Sequence, residues 1–367
     1  MRLRYWVTDA KSGNVLGEVR CVGSSSWTSR LGGGTMSASI AVDALTLDGM
    51  SPDWSEVTRL GGLLVSGRRC IAVTAGSTLL GEWLVMRRTL DTGSTVIGVQ
   101  GMGWEGYPAL RSLNANHIYT NVSQATIAKA LLDQAFTSFN AGMTITIPTP
   151  SSSVTRTVDR RSHSAYYADV LDEISSPDDG FEWCVDVTPF WNGDDLTRVG
   201  RAVGYGFPTL SRSSSAEIVM GEPGTRHGNA VSISGGDDFS RYAQSVYGIG
   251  EGSGDKQLWV GLSDPTLTNA GYLNSTKNVS FPGVKDVAAL TGLTRGALAD
   301  AQDLRDPFEA TARADDMSIL PRVGRVVRLV CPRTWTYPAG LDVSVRVGEV
   351  TYQASGAECE HVSVQAA

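Results

Sequence analysis

Alternation of apolar and polar positions dominates the first third of the chain. LRYWVTD, then VLGEVRCV after an SGN turn, then TMSASIAVDAL after the Gly32-Gly33-Gly34 loop each predict a strand. Trp6, Val15, Val19, Ile40 and Val42 are the inward candidates. RRCIAVTAG follows, and after it the hairpin GEWLVMRRTLDTGSTVIGVQ. Here Trp83 and Val85 share one face and Leu84 and Met86 the other, while Thr95, Ile97 and Val99 continue the alternation. Strands that are apolar on both faces at several points predict a closed barrel rather than an open sheet.

The period changes at SQATIAKALLDQAFTSF, residues 123–139. Ile127, Leu131, Ala135 and Phe139 recur four apart, which predicts a helix with Ser123 as its N-cap. SHSAYYADVLDEISS repeats the signal through Tyr166, Val170 and Ile174, and PDDG ends it. FEWCVDV reads as a strand with Phe181, Trp183, Val185 and Val187 facing one way and Glu182, Cys184 and Asp186 the other. Strand character resumes at NAVSISGGDDFSRYAQSVYGIG, and residues 249–283 are Gly-rich and weakly patterned. TRGALADAQDLRD predicts a helix built on Leu293, Ala297, Ala301 and Leu304 and ended by Pro307. Strands return from PFEATARA onward, with Val343, Val345 and Val347 on one face and Val362 and Val364 in the last strand.

Residues 68–101 and 325–366 share one plan: strand, loop, strand, Gly-containing turn, strand, with Gly93 and Gly356 at matched points. A three-strand meander leaves two raw edges, so each block needs further strands. Residues 1–45 supply them for the first, and 228–248 with 307–313 for the second. The organisation predicted is mainly β with α+β parts. A first β-barrel domain spans 1–113 and an α+β domain 114–226. A second β-barrel domain is assembled from 227–248 and 307–367, with 249–306 inserted into it. Identity between the blocks is low, and independent arrival at an ordinary meander is the alternative.

Composition narrows the function. Only 19% of the 367 residues are charged and 41 are Gly, which suits a folded, turn-rich protein. The net charge of −7, with lysine confined to Lys11, Lys129, Lys256, Lys277 and Lys285, argues against a surface built to grip phosphate backbones. Cys21, Cys70, Cys184, Cys331 and Cys359 are scattered and form no CxxC pair, so they read as small buried hydrophobes. MRLRYWVTDAKSG lacks the apolar core of a signal peptide, which predicts synthesis in the cytoplasm.

Catalytic signatures are missing. GMGWEG, residues 101–106, fits G-x-G-x-x-G, but Pro108 follows at once and no acidic residue sits about twenty positions on, so it reads as a turn. There is no G-x-S-x-G, HExxH or Walker loop. His117, His163, His227 and His361 are isolated and read as polar surface residues. Asp178-Asp179, Asp194-Asp195, Asp237-Asp238 and Asp315-Asp316 lack the frame of a calcium loop. No catalytic, cofactor-binding or metal-binding residue is therefore predicted. A sugar site using Trp191, Trp259 or Trp335 with Tyr205 or Tyr337 is the exposed-aromatic alternative to ordinary core packing.

Several stretches taken in order resemble the minor tail proteins that form the tail hub of long-tailed phages of Actinobacteria. They are LRYWVTDAKSGNVLGEV, SSWTSRLGGGTMSASIAV, GMGWEGYPALRSLN, VSQATIAKALLDQA, SAYYADVLDEIS with GFEWCVDV, and NAVSISGGDDFSRYAQSVYGIG. The resemblance implies a fold related to the contractile-tail baseplate hub and to the N-terminal part of tail-associated lysins. It implies a structural virion protein at the tail tip, a homotrimer whose two barrels per subunit adapt a six-fold tube to a three-fold tip. It also implies a role in forming or closing the DNA exit channel. Implied partners are a distal tail protein or tube hexamer above, tail-tip or fibre proteins below and a tape measure protein in the lumen. Viral DNA would pass without specific binding, and contact with the host surface would be indirect. The chain ends at Ala367, directly after the last predicted strand, so a lysin module and peptidoglycan cleavage are not expected. A receptor- or carbohydrate-binding tip protein is the rival reading, and a cell-wall hydrolase the third.

Overall fold

The computed structural model describes residues 1–41, 58–59, 62–90, 96–138, 141–177, 179–210, 216–221, 228–236, 239–302, 308–317 and 319–366. The first part of the chain supplies β1 (Leu3–Asp9), β2 (Val15–Val19), β3 (Ser24–Arg30), β4 (Thr35–Ala41), β5 (Arg69–Ala75), β6 (Thr78–Thr89) and β7 (Val96–Met102). A middle unit follows with β8 (His117–Ser123), α1 (Gln124–Thr137), β9 (Thr155–Arg160), α2 (Tyr167–Ser175), β10 (Glu182–Asn192) and β11 (Asp195–Gly206). Next come β12 (Glu217–Val219), β13 (Ala230–Ser234), β14 (Ser245–Ile249), β15 (Trp259–Ser263), α3 (Thr266–Asn269), β16 (Thr276–Ser280) and α4 (Val287–Gln302). The last strands are β17 (Glu309–Arg313), β18 (Val326–Cys331), β19 (Leu341–Ser355) and β20 (Glu358–Ala366). The protein is mainly β, with antiparallel ladders predominating.

One large sheet runs β13-β17-β20-β19-β3-β4-β7-β6-β5-β1-β2, with β18 on β19 and β12 on β18. The predicted closed barrels are not drawn by these ladders, which form an open path among the described residues. Shorter contacts nevertheless join strands at the ends of two runs. Beyond β2, the Val22 N–H donates to the Ser39 carbonyl at 2.8 Å and the Ala41 N–H to the Arg20 carbonyl at 2.8 Å, setting Cys21 opposite Ile40 on β4. Between β12 and β13, the side-chain amide of Asn229 stands in for a strand. Its Oδ1 accepts from the Val219 N–H at 2.7 Å and its Nδ2 donates to the Glu217 carbonyl at 2.8 Å.

The two blocks singled out from the sequence are both antiparallel meanders, β5-β6-β7 and β18-β19-β20. Their middle strands share a further trait. β6 pairs with β5 over Thr78–Leu84 and with β7 over Leu84–Thr89, shifting register between Val85 and Arg87. β19 pairs with β18 over Leu341–Arg346 and with β20 over Val347–Ser355, shifting between Val347 and Glu349. The shift in β19 reverses its parity. Val343, Val345 and Val347 face the core before it, and Val350, Tyr352 and Ala354 after it. Gly356 turns the chain into β20 with φ +59°, a conformation that costs glycine least. Gly93, its predicted counterpart, lies outside the described residues, as do Val42, Thr95, Phe139, Leu304 and Pro307.

Both meanders contribute to one continuous core. Trp27 on β3 is 1% exposed and stacks on Tyr352 of β19 with ring centroids 5.6 Å apart. Trp83 and Tyr5 flank it at 6.1 and 6.2 Å. β3 thus belongs as much to the second block as to the first, pairing with β19 over seven positions and with β4 over two. Val19 and Ile40 lie in this core as predicted, and it is the Trp83-Val85 face of β6 and the Ile97-Val99 face of β7 that turn toward it. Trp6 and Val15 do not. They sit on the outer face, where Leu196, Val199 and Trp191 of the β10-β11 hairpin cover them. Tyr5 and Val7, alternating with Trp6 along β1, take the core side instead.

The middle unit packs against the outer face of the first strands. Ile127, Leu131, Phe136, Val170 and Ile174 share a core with Cys70 and Leu84. Helix α1 begins after Ser123 as predicted, but the Ser123 hydroxyl donates to the Ser152 carbonyl instead of capping the helix. In α2 the buried ring is Tyr167, whereas Tyr166 is the N-cap and half-exposed. The predicted β10 face packs inward, Phe181, Trp183 and Val185 onto the helices and Val187 onto Trp6. Residues 249–283, weakly patterned in sequence, are ordered by pairing. β14 runs antiparallel to β15 and parallel to β16, not in the large sheet, and α4 covers one face through Leu290, Leu293, Thr294 and Ala301.

Candidate functional site

The most organised polar chemistry lies where the middle unit meets the first strands. Arg201 on β11 and Glu82 on β6 are 119 positions apart and both side chains are fully buried. The guanidinium engages the carboxylate twice, Nε to Oε2 at 2.6 Å and Nη2 to Oε1 at 3.0 Å. Its remaining N–H groups reach the Ala10 carbonyl at 2.7 Å and the Asp9 carbonyl at 3.3 Å. Thr8 Oγ1 and Trp104 Nε1 donate to Glu82 at 2.5 and 2.9 Å, and the Trp104 ring lies 4.4 Å from the guanidinium carbon. A pair this well satisfied fixes geometry: the β10-β11 hairpin has one seating on the sheet. Sequence periodicity gave no sign of it, although an acidic residue between Gly81 and Trp83 in an apolar strand was an available clue.

A cavity of about 90 Å³ lies beside this joint, lined in part by Trp83, Glu105, Asp186, Arg322 and Tyr352. Glu105 accepts the Val185 N–H at 2.7 Å. Burial raises its pKa to about 7, aided by the negative charge of Asp186 and opposed by that backbone bond. The GMGWEG segment surrounding it is a close backbone crossing. The Gly103 N–H donates to the Gly34 carbonyl at 2.8 Å, and a Cβ on Gly103 would fall 2.8 Å from the Gly34 nitrogen. The glycines therefore serve packing against the Gly33-Gly34 loop, and a 3-10 turn over Trp104–Leu110 follows.

The histidines do not converge. His117 is buried, contrary to the surface reading, against the rings of Tyr119 and Tyr167, and desolvation lowers its pKa. His163 occupies an exposed position with φ +62°, His361 is half-buried on β20, and His227 lies outside the described residues. Asp194 and Asp195 turn β10 into β11 and meet Arg4, while Asp315 and Asp316 meet the N-terminal amine and Arg313. Asp178, Asp237 and Asp238 lie outside the described residues. Among the described residues no group of three His, Cys, Asp or Glu is placed to hold a metal. All five cysteines are free and buried. No described helix is long and apolar enough to cross a membrane.

The aromatic candidates separate sharply. Trp191 packs on Trp6, and Tyr205 stacks on Phe207. Trp335 is 93% exposed on the loop between β18 and β19. Trp259 is 64% exposed on β15 beside Tyr247 of β14, with centroids 6.3 Å apart. Sequence reading missed Tyr247, because only the β14-β15 register brings the two rings together.

No protein-family model matches the sequence, and no curated protein sequence does. Solved structures do match. The tail protein from Neisseria meningitidis MC58 superposes with a TM-score of 0.59 at 14% identity, over 99% of this chain and 96% of its own. The 43 kDa tail protein of prophage MuSo2 from Shewanella oneidensis gives 0.56 at 10%, over 99% and 98%. Prophage tail protein gp18 from Listeria monocytogenes EGD-e gives 0.51 at 12%, over 100% and 94%. Along nearly its whole length, this chain has the fold of phage tail proteins.

Proposed function

We propose that the chain is the subunit of a homotrimeric hub at the distal end of a phage tail. The observation that carries the reading is a repeated circuit of six strands. One runs β1-β2-β4-β7-β6-β5 and the other β12-β13-β17-β20-β19-β18, with members in the same order along the chain. Each contains a meander whose middle strand changes partner at a register shift, and each is joined across its seam by the short contacts at Cys21 or Asn229. We read both as barrels. They differ at one joint, since β12 lies parallel to β18 whereas β1 lies antiparallel to β5. The β14–β16 unit enters the second circuit where the first carries β3.

Three copies of a two-barrel subunit set six similar units around an axis, while every other feature repeats three times. Such a ring meets a six-fold tube or distal tail protein on one side and three-fold tip or fibre proteins on the other. Its lumen would hold the tape measure protein and pass DNA, and a net charge of −7 keeps DNA from lodging there. The protein would act in the virion, at the tail tip, after synthesis in the host cytoplasm. The likeness in fold to tail proteins of separate phages supports this reading, and an Actinobacterial host is carried by sequence resemblance alone.

Sedimentation of the purified chain and imaging of intact particles test it. A trimer of 39.0 kDa chains with six barrel densities around the axis is expected. A ring of six chains, or one barrel per chain, would overturn it. Zymography on host cell walls addresses the hydrolase reading, and no clearing is expected. Carbohydrate binding is favoured by one surface, the open face of the β14–β16 sheet.

A further inference from the structure

We infer that this open face is a binding site for a neutral polysaccharide, with Tyr247 and Trp259 as its stacking platform. Val246 is fully buried, and a Cβ on Gly248 would meet Thr294 of α4 at 1.9 Å, so the even positions of β14 lie under the helix. The odd positions face away. Tyr247 lies across Gly261, where a Cβ would fall 2.9 Å from its ring, and Trp259 stands next along the same strand at an interplanar angle of 55°. Trp259 leans over the same glycine, its Cζ3 3.6 Å from that Cβ position, so both rings share the space that Gly261 leaves open.

Apart from Ile249, opposite Trp259, the rest of the face is hydroxyl and amide. Ser245 and Ser263 share a hydrogen bond of 2.6 Å, and Asn278 sits opposite Tyr247 on β16. No position of this face, on any of the three strands, carries a charge; Lys277 pairs with Val246 and so belongs to the other side. Aromatic planes fringed by neutral donors and acceptors suit sugar rings, whose C–H faces stack and whose hydroxyls exchange hydrogen bonds. Single-stranded nucleic acid also stacks on such rings, but its binders add cations along the backbone path, and this face has none. Trp335, though more exposed, has no ring neighbour within stacking range among the described residues.

The site does not depend on the trimer. The test uses the full chain on an array of neutral glucans, galactans, mannans and arabinans beside the anionic polymers hyaluronan and heparin. Binding to at least one neutral polymer is expected. Trp259→Ala and Tyr247→Ala should each weaken it by about tenfold or more, the scale of a lost stacking contact, while Trp259→Phe retains most of it. Trp335→Ala should bind like the parent. Circular dichroism and sedimentation of Trp259→Ala should match the parent, which separates a lost sugar site from a lost hub. Failure of the parent on every neutral polymer, preference for the anionic ones, or undiminished binding by Trp259→Ala would overturn the site. Loss of a tail-protein contact in Trp259→Ala without loss of glycan binding would do so as well.

Discussion

Removing Arg201 should expose how the middle unit is held to the sheet. In Arg201→Met, Glu82 keeps the donors Thr8 Oγ1 and Trp104 Nε1 but loses its counter-charge in a site with no solvent access. A stranded carboxylate escapes by taking up a proton. From an ordinary glutamate value near 4.3 to pH 7 this costs about 3.7 kcal/mol, at about 1.36 kcal/mol per unit. The carbonyls of Ala10 and Asp9 also lose donors, adding about 1 kcal/mol. The deficit against the parent should then be about 4 to 5 kcal/mol at pH 7, within the span found when one partner of a buried pair is removed. Protonation becomes easy in acid, so at pH 5 the deficit should shrink to about 2 kcal/mol. The double variant Arg201→Met, Glu82→Gln carries no buried charge and should lose only about 2 kcal/mol at either pH. Urea titrations of the parent, both singles and the double at the two pH values measure all of this. A double variant no more stable than Arg201→Met at pH 7, or a deficit that ignores pH, would refute the reasoning.

Glu105 gives a second pH signature. Its folded value, about 7, lies above the unfolded one, so its contribution is fully present in acid and is lost as pH rises through 7. Glu105→Gln keeps an oxygen for the Val185 N–H and should flatten stability between pH 5 and 8 in thermal melts, ending above the parent at pH 8. At the seam of the second circuit, Asn229→Ala strands the Val219 N–H and the Glu217 carbonyl, at a cost of about 1 kcal/mol; hydrogen exchange should show the Val219 amide losing protection. Val345→Asp places a charge where a half-buried valine packs on the core, a position worth about half of the roughly 1.5 to 3 kcal/mol that full burial contributes. No trimers should form from that variant, and normal ones in sedimentation would count against the barrel reading.

Local pattern was enough for much of the fold. The β5-β7 and β18-β20 meanders, helix α1 and the shared faces of Trp83 with Val85 and of Ile97 with Val99 follow from residue spacing, because period 2 or 3.6 decides which side chains share a face. Spacing cannot say what covers a face. Trp6 looked inward because it is large and apolar, yet the hairpin that buries it begins at Glu182. The candidate site shows the same division. Trp259 stood out in the sequence as a possible platform, whereas Tyr247 became its partner only through the register of β14 on β15.

By itself, then, the sequence determined the class of the segments with a clear period, a meander plan that occurs twice and the want of any local catalytic motif. Tertiary structure decided which strands pair with which, the sharing of β3 between the two blocks, the placement of Ser245–Ile249 in the β14–β16 sheet and the meeting of Glu82 with Arg201. The reason is one of range. Alternation is written by neighbours two to four residues apart, but the energy that selects a strand's partner or satisfies a buried charge comes from residues a hundred or more positions away.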